Sequence, residues 1–167
     1  MLDAILQSPT GGGSLGEKLS AAEISLYLEP GRAHLDGAGM SVFPMQGFKR
    51  NDEHGIVTMA GLSMSLSEQW KGSEYLPTPI LVQRGPARDQ RPVSAAVGGS
   101  SCMEYDVLTW RRILFPAAPR HGDLIVYPNT AGYQMDKNES EFYQLPLPPK
   151  IVLTQRDGQS LWRKEER

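Results

Sequence analysis

Cysteine occurs once in this sequence, at Cys102, so no internal disulfide can form and a reducing, cytoplasmic setting is the expectation. There is no basic surplus: 17 Lys and Arg stand against 19 Asp and Glu, a formal net charge of −2. A nucleic acid or an anionic membrane surface held by bulk charge usually selects a basic excess, so neither is expected as a partner. No apolar run approaches the ~18–20 residues of a membrane span. Met1 is not followed by a basic start and an apolar stretch, so no secretion signal is read. His34, His54 and His121 are scattered and, with one cysteine, cannot close a tetrahedral zinc site; no metal is expected. Asn138-Glu139-Ser140 spells a glycosylation acceptor, which without a secretion signal reads as chance.

Hydrophobic residues make up 40% of the chain and charged ones 22%, which excludes a disordered chain. The 17 glycines and 13 prolines disfavour a helical bundle and favour short strands joined by turns. A length of 167 residues suits one domain with a remnant attached.

Ser14–Glu23 reads as a short helix with Leu15 and Leu19 on one face, preceded by Gly11-Gly12-Gly13, which resists helix. Ile24–Leu28 reads as a strand, apolar nearly throughout and so expected to be buried on both faces, ending at Glu29-Pro30-Gly31-Arg32. Strands are then expected at 40–45 and 55–62 around a polar turn, at 79–82, at 92–97, at 107–110 and 111–115 on either side of a polar break, and at 122–127. Asp157-Gly158 marks a hairpin between 150–154 and 160–163. This spacing predicts a mainly β barrel or sandwich.

Four stretches carry the chemistry. Glu29-Pro30-Gly31-Arg32 places a glycine N–H and a guanidinium at a strand's carboxyl end, a combination that suits a phosphate. Ser101-Cys102-Met103-Glu104-Tyr105-Asp106 follows the glycine-rich turn Gly98-Gly99. Gly122-Asp123 opens a strand whose continuation reaches Ala131-Gly132-Tyr133, an aromatic hydroxyl on a small-residue loop. Ser140-Glu141-Phe142 leads into a proline-rich stretch, 145–149.

In this order the four stretches resemble the C-terminal part of the pyridoxal-phosphate-dependent ornithine/diaminopimelate/arginine decarboxylases. That family joins an N-terminal (β/α)8 barrel to a C-terminal β-barrel of the alanine-racemase type. The resemblance implies that residues 1–39 are the end of the cofactor-binding barrel, with its last helix–strand unit, and that 40–167 form the C-terminal β-barrel domain. It implies that Glu29 meets the cofactor's pyridine nitrogen, that Gly31 and Arg32 bind its phosphate, and that the Tyr133 hydroxyl approaches phosphate and ring. Cys102 matches the cysteine that reaches the partner subunit's active site as a general acid, and Asp106 a later aspartate supporting substrate contact or the subunit interface. The implied partners are a second copy of the chain, in a homodimer with shared active sites, and a small amino-acid substrate.

Members acting on basic substrates commonly carry an acid directly after the cysteine. Here that position is Met103, so specificity for ornithine, lysine or diaminopimelate does not carry over. Ala131-Gly132 replaces the usual Gly-Ala. The family's cofactor-anchoring lysine lies upstream of the EPGR motif, and the six lysines here match no such motif, so this chain by itself is expected to be inactive. Two other readings remain: a non-catalytic dimerisation or regulatory homologue, and an alanine-racemase relative sharing only the barrel.

Overall fold

The protein was analysed as a computed structural model that describes residues 2–51, 54–66, 78–131 and 148–165, without the side chains of Arg32, Asn51, Met64 and Ser65. Tyr133 lies outside the described residues. The chain forms two compact units, Met1–Pro30 and Gly31–Arg167.

The first unit contains helix α1 (Leu2–Leu6), a minimal hairpin of β1 (Pro9–Thr10) and β2 (Gly13–Ser14), and helix α2 (Leu15–Ala21). The glycine triplet resists helix, as its composition predicts, and supplies the hairpin turn instead: Gly12 and Gly13 take φ of 101° and 122°, a region costly for residues with a Cβ. Ser14 then caps α2. The Glu17 N–H donates to Ser14 Oγ at 3.2 Å and the Ser14 N–H to Glu17 Oε2 at 2.7 Å, a reciprocal capping box. Leu15 and Leu19 are half-buried, as expected for one helix face.

Ile24–Leu28 departs from expectation. It forms no strand, and Ile24, Leu26, Tyr27 and Leu28 are all more than half exposed. An apolar run becomes a doubly buried strand only between neighbouring strands that take its N–H and C=O groups. Among the described residues no strand lies beside it.

In the second unit a six-stranded sheet has the order β5-β8-β3-β4-β6-β7. Its strands are β3 (Met40–Asn51), β4 (His54–Met59), β5 (Ile80–Val82), β6 (Val93–Gly98), β7 (Val107–Phe115) and β8 (Leu124–Pro128). The spine is β3. Its first half pairs with β8, from Met40↔Pro128 to Pro44↔Leu124, and its second half with β4, from Met45↔Met59 to Asn51↔His54. A bulge between Met45 and Gly47 marks the changeover and bends the strand, so that the sheet curls. Pro44 is tolerated inside this central strand because β4 has run out beside it. The Pro44 carbonyl still accepts the Ala60 N–H at 2.8 Å, and the missing donor costs only a terminal bond.

All neighbours pair antiparallel except β4 and β6, which run parallel. Alternating residues turn Phe43, Met45, Val57, Met59, Val97 and Ile125 into one core with Leu108 and Phe115. Phe43 and Tyr127 meet edge to face at 6.2 Å between ring centroids.

Positions 107–110 and 111–115 are not two strands but one, β7, carrying a bulge. Between the pairs Ala95↔Ile113 and Val97↔Thr109, β7 contains two more residues than β6. Trp110, Arg111 and Arg112 are therefore exposed in succession, which reads as a polar break in sequence. The terminal hairpin forms as expected from β9 (Ile151–Arg156) and β10 (Gln159–Lys164). Asp157 and Gly158 take φ of 50° and 76°, positive at both turn positions as a type I′ turn requires.

Asp123 is 1% exposed and anchors the entry to β8. Its carboxylate accepts the Arg88 guanidinium at 2.6 Å, the Arg84 N–H at 3.0 Å and the Arg120 N–H at 2.8 Å. Burial by itself would raise this carboxyl; the Arg88 bond and the two backbone donors outweigh it and hold the group below its ordinary value. A depressed carboxyl contributes stability that is present above its unfolded value and lost as pH falls through the folded one. Arg88→Ala is expected to destabilise the sheet by ~3–5 kcal/mol near neutral pH, the usual cost of stranding one member of a buried pair. Urea unfolding should show that deficit shrinking below about pH 4, where aspartate protonates.

Candidate functional site

Because β3 runs antiparallel to β8 and β4 while β6 runs parallel to β4, the ends of β4, β6 and β8 all point toward the start of β3, but β8 ends opposite Met40 whereas β4 ends five positions further along, opposite Met45, with β6 ending beside it. One loop cluster is built at each of these two places.

The first cluster joins the start of β3 to the end of β8. Gly31 is exposed and precedes a 3₁₀ turn, Arg32–Leu35, its carbonyl accepting the His34 N–H at 3.3 Å. The chain then passes Asp36 and Gly37 into β3. Asn129, just past β8, holds this segment: its Oδ1 accepts the Gly37 N–H at 2.6 Å and its Nδ2 donates to Asp36 Oδ1 at 2.6 Å. The Thr130 N–H donates to the Gly39 carbonyl at 3.0 Å, and the Thr130 and Ser41 hydroxyls meet at 2.8 Å. Asn129 sits at φ 55°, a left-handed conformation that Asn tolerates better than most residues. The segment that follows Arg32 is thereby tied to the one that leads to Tyr133. Glu29 is exposed at the end of the first unit.

The second cluster is the Cys102 loop, residues 99–106, between β6 and β7. Ser100 fastens it to the end of β4. Its hydroxyl donates to the Met59 carbonyl and accepts the Gly61 N–H at 3.0 Å, while its N–H donates to the Gly61 carbonyl at 2.8 Å. Asp106 closes the loop. It is 4% exposed. Its Oδ2 accepts the Ser101 N–H at 2.8 Å and the Ser101 hydroxyl at 2.7 Å, and its Oδ1 accepts the Ser63 N–H at 2.6 Å. Met103 is half-buried, its carbonyl accepting the Asp106 N–H at 3.0 Å. Cys102, Glu104 and Tyr105 are exposed.

Of the six residues expected at the site, the structure thus places Gly31 and the Arg32 backbone in the first cluster, Cys102 and Asp106 in the second, and Glu29 in the other unit. Of the supports, Gly99, Ser100 and Ser101 fall in the glycine-serine turn that the sequence marks before Cys102, but their partners were not anticipated, nor were Asn129 and Ser63. Asn129 carried a usable signal, a residue that favours left-handed backbone directly after a strand. Ser63 carried none, since serine is common in every loop. Among the described residues no group of acidic, histidine or cysteine side chains is arranged to hold a metal ion, and no helix is long and apolar enough to cross a membrane.

No family model matches the chain. It is 42% identical over 145 residues to the uncharacterized protein y4yA of Sinorhizobium fredii, an alignment that covers 85% of this chain and 32% of that protein. The chain therefore spans about a third of the length of the curated relative it matches. Among solved structures it is similar to a diaminopimelate decarboxylase, with a TM-score of 0.64 and 19% identity over 86% of this chain and 35% of that one. Carboxynorspermidine decarboxylase of Campylobacter jejuni, solved with norspermidine, gives a TM-score of 0.64 and 18% identity over 90% of this chain and 42% of the enzyme. The agmatine-bound arginine decarboxylase of Paramecium bursaria Chlorella virus gives 0.59 and 18%, covering 80% and 37%. At these identities the likeness is one of fold: this chain has a mainly β fold that recurs in amino-acid decarboxylases.

Asn129→Ala is expected to lower stability by ~1–3 kcal/mol, combining two lost hydrogen bonds with left-handed strain on a residue that no longer relieves it. Asn129→Gly removes the bonds without the strain and should cost less. In both variants hydrogen exchange at the Gly37 amide should accelerate.

Proposed function

We propose that this chain is the C-terminal portion of a pyridoxal-phosphate-dependent amino-acid decarboxylase that works as a homodimer with shared active sites. Two lines support the reading: the ordered motifs of the sequence, and a fold that recurs in decarboxylases of several amino-acid substrates. The observation that carries it is the hydrogen bonding of Asn129 and Thr130 to Gly37 and Gly39, which fastens the stretch after Gly31-Arg32 to the stretch before Tyr133. A phosphate dianion is held by several donors that converge on its oxygens. A backbone N–H at Gly31, the Arg32 guanidinium and the Tyr133 hydroxyl form a donor set of the right chemistry, and two of its three members sit in segments tied to one corner.

In this reading Gly31, Arg32 and Tyr133 hold the phosphate. The Glu29 carboxylate accepts the N–H of the pyridine ring and keeps that nitrogen protonated. Pyridoxal phosphate, when bound, would supply a sink for the electron pair left on carbon as CO2 departs. The Cys102 thiol, exposed on its loop, delivers a proton to the carbon that has lost CO2, in the active site of the partner subunit. A tethered acid at that point decides where the proton lands and so separates amine product from abortive transamination. Met103 follows the cysteine with a thioether, which offers a distal ammonium no charge partner.

The test uses the longer protein that contains this chain. Cys102→Ala should slow amine formation by about 100-fold, the lower range of general-acid contributions, and raise the transaminated product. An unchanged rate and product ratio would remove Cys102 from the mechanism. Arg32→Ala should weaken cofactor affinity measured by absorbance titration, and equal affinity in both proteins would remove Arg32 from the phosphate site.

A further inference from the structure

Asp106 is the one buried acid of the Cys102 loop, and its surroundings are unusually specific. The carboxylate reaches in two directions. Oδ2 takes both donors of Ser101, the residue directly before the cysteine, at 2.8 and 2.7 Å. Oδ1 takes the Ser63 N–H at 2.6 Å, at the start of the 3₁₀ turn Ser63–Leu66 beyond β4. The backbone repeats the link: the Gly99 N–H donates to the Asp106 carbonyl at 2.7 Å. A Cβ on Gly99 would stand 2.3 Å from both carboxylate oxygens. Space for this carboxylate has therefore been made by leaving out a side chain. Three donors from two segments hold this buried carboxylate in one place.

We propose that Asp106 is a positioning residue that locks the Ser63 turn and the Cys102 loop into one rigid body, and so sets where the Cys102 thiol is held. This rests on the proposed role of Cys102 for its meaning in catalysis, but the mechanical claim concerns this chain alone. The carboxylate is occupied by the chain's own donors, so Asp106 acts through Cys102 and not on a substrate. The arrangement couples the two loops through one side chain: altering the carboxylate takes a hydrogen bond from Ser101 and from Ser63 at once.

Cys102 is the sole cysteine, so a nitroxide label reports on this loop without further engineering. In the 167-residue chain the labelled thiol should give an immobilised electron paramagnetic resonance component. Asp106→Asn turns an amide donor toward one of these N–H groups. It should convert most of that component to the mobile form and speed exchange at the Ser63 and Ser101 amides together by at least about tenfold, as loss of a hydrogen bond to an ionised group implies. Gly99→Ala displaces the same carboxylate by bulk alone and should give the same pair of changes. Protection at Phe43 and Val126, in the body of the sheet, should stay at the wild-type level in both. Should Asp106→Asn fail to fold, Ser101→Ala, which removes one of three bonds, should still mobilise the label in part with sheet protection intact. An unchanged line shape in the folded variants, or release of Ser101 without Ser63, overturns the proposal. Neither result bears on whether the longer protein is a decarboxylase, which the product ratio of Cys102→Ala decides separately.

Discussion

A carboxylate removed from water has to be surrounded by donors, and the loops of this protein are arranged around two such groups. Asp123 draws in backbone N–H groups at 84 and 120 together with the Arg88 guanidinium, and so fixes the chain just after β5 and on the approach to β8. Asp106 draws in Ser63 and Ser101 and fixes the approach to β7. Both aspartates stand at a strand's N-terminal entry, where the backbone is changing direction and its N–H groups lack ladder partners. A side chain that collects those donors does for a loop what the ladder does for a strand. The Arg88 Nε remains buried with no partner among the described residues, and nothing in the structure explains it.

The sheet itself follows from one strand with a different neighbour on each edge. Met40 to Pro44 belongs to β8 and Met45 to Asn51 to β4, and the bulge at Gln46 lets one continuous strand serve both without a break. β8 and β4 run in the same direction along its two edges, and their ends lie five positions apart along it. The loops proposed to carry the phosphate donors and the thiol therefore leave the sheet at separate places, as a thiol that serves the partner subunit's site allows.

Much of the sheet was legible in sequence because period-two alternation and turn residues act locally. Phe43 and Met45 inward with Val42 and Pro44 outward, or Asp157-Gly158 at positive φ, need no knowledge of distant parts of the chain. The misreadings came where the partner decides. Ile24–Leu28 has the composition of a buried strand but, among the described residues, no strand beside it, and three successive exposed residues at 110–112 look like a break because a bulge suspends alternation. Of the site, the motif residues Gly31, Arg32, Cys102 and Asp106 were legible as a pattern. The hydrogen-bond partners that hold them were not. That Asp106 turns inward to Ser63, 43 positions away, is a fact of folding that no local spacing encodes.

The two halves of β3 also differ in how far along the chain their partners lie. β4 begins three positions after β3 ends, whereas the hydroxyls of Ser41 and Thr130, which secure the other half, are 89 positions apart. Closing a short loop forfeits little chain entropy, and closing a long one forfeits more and is reached more slowly. During synthesis the distal half of β3 can zip onto β4 almost at once, while its proximal half must wait with an open edge until β8 has emerged. The corner that carries Gly31 and Asn129 is therefore among the last parts of the sheet to be assembled, and the nascent chain spends that interval with an unpaired strand exposed.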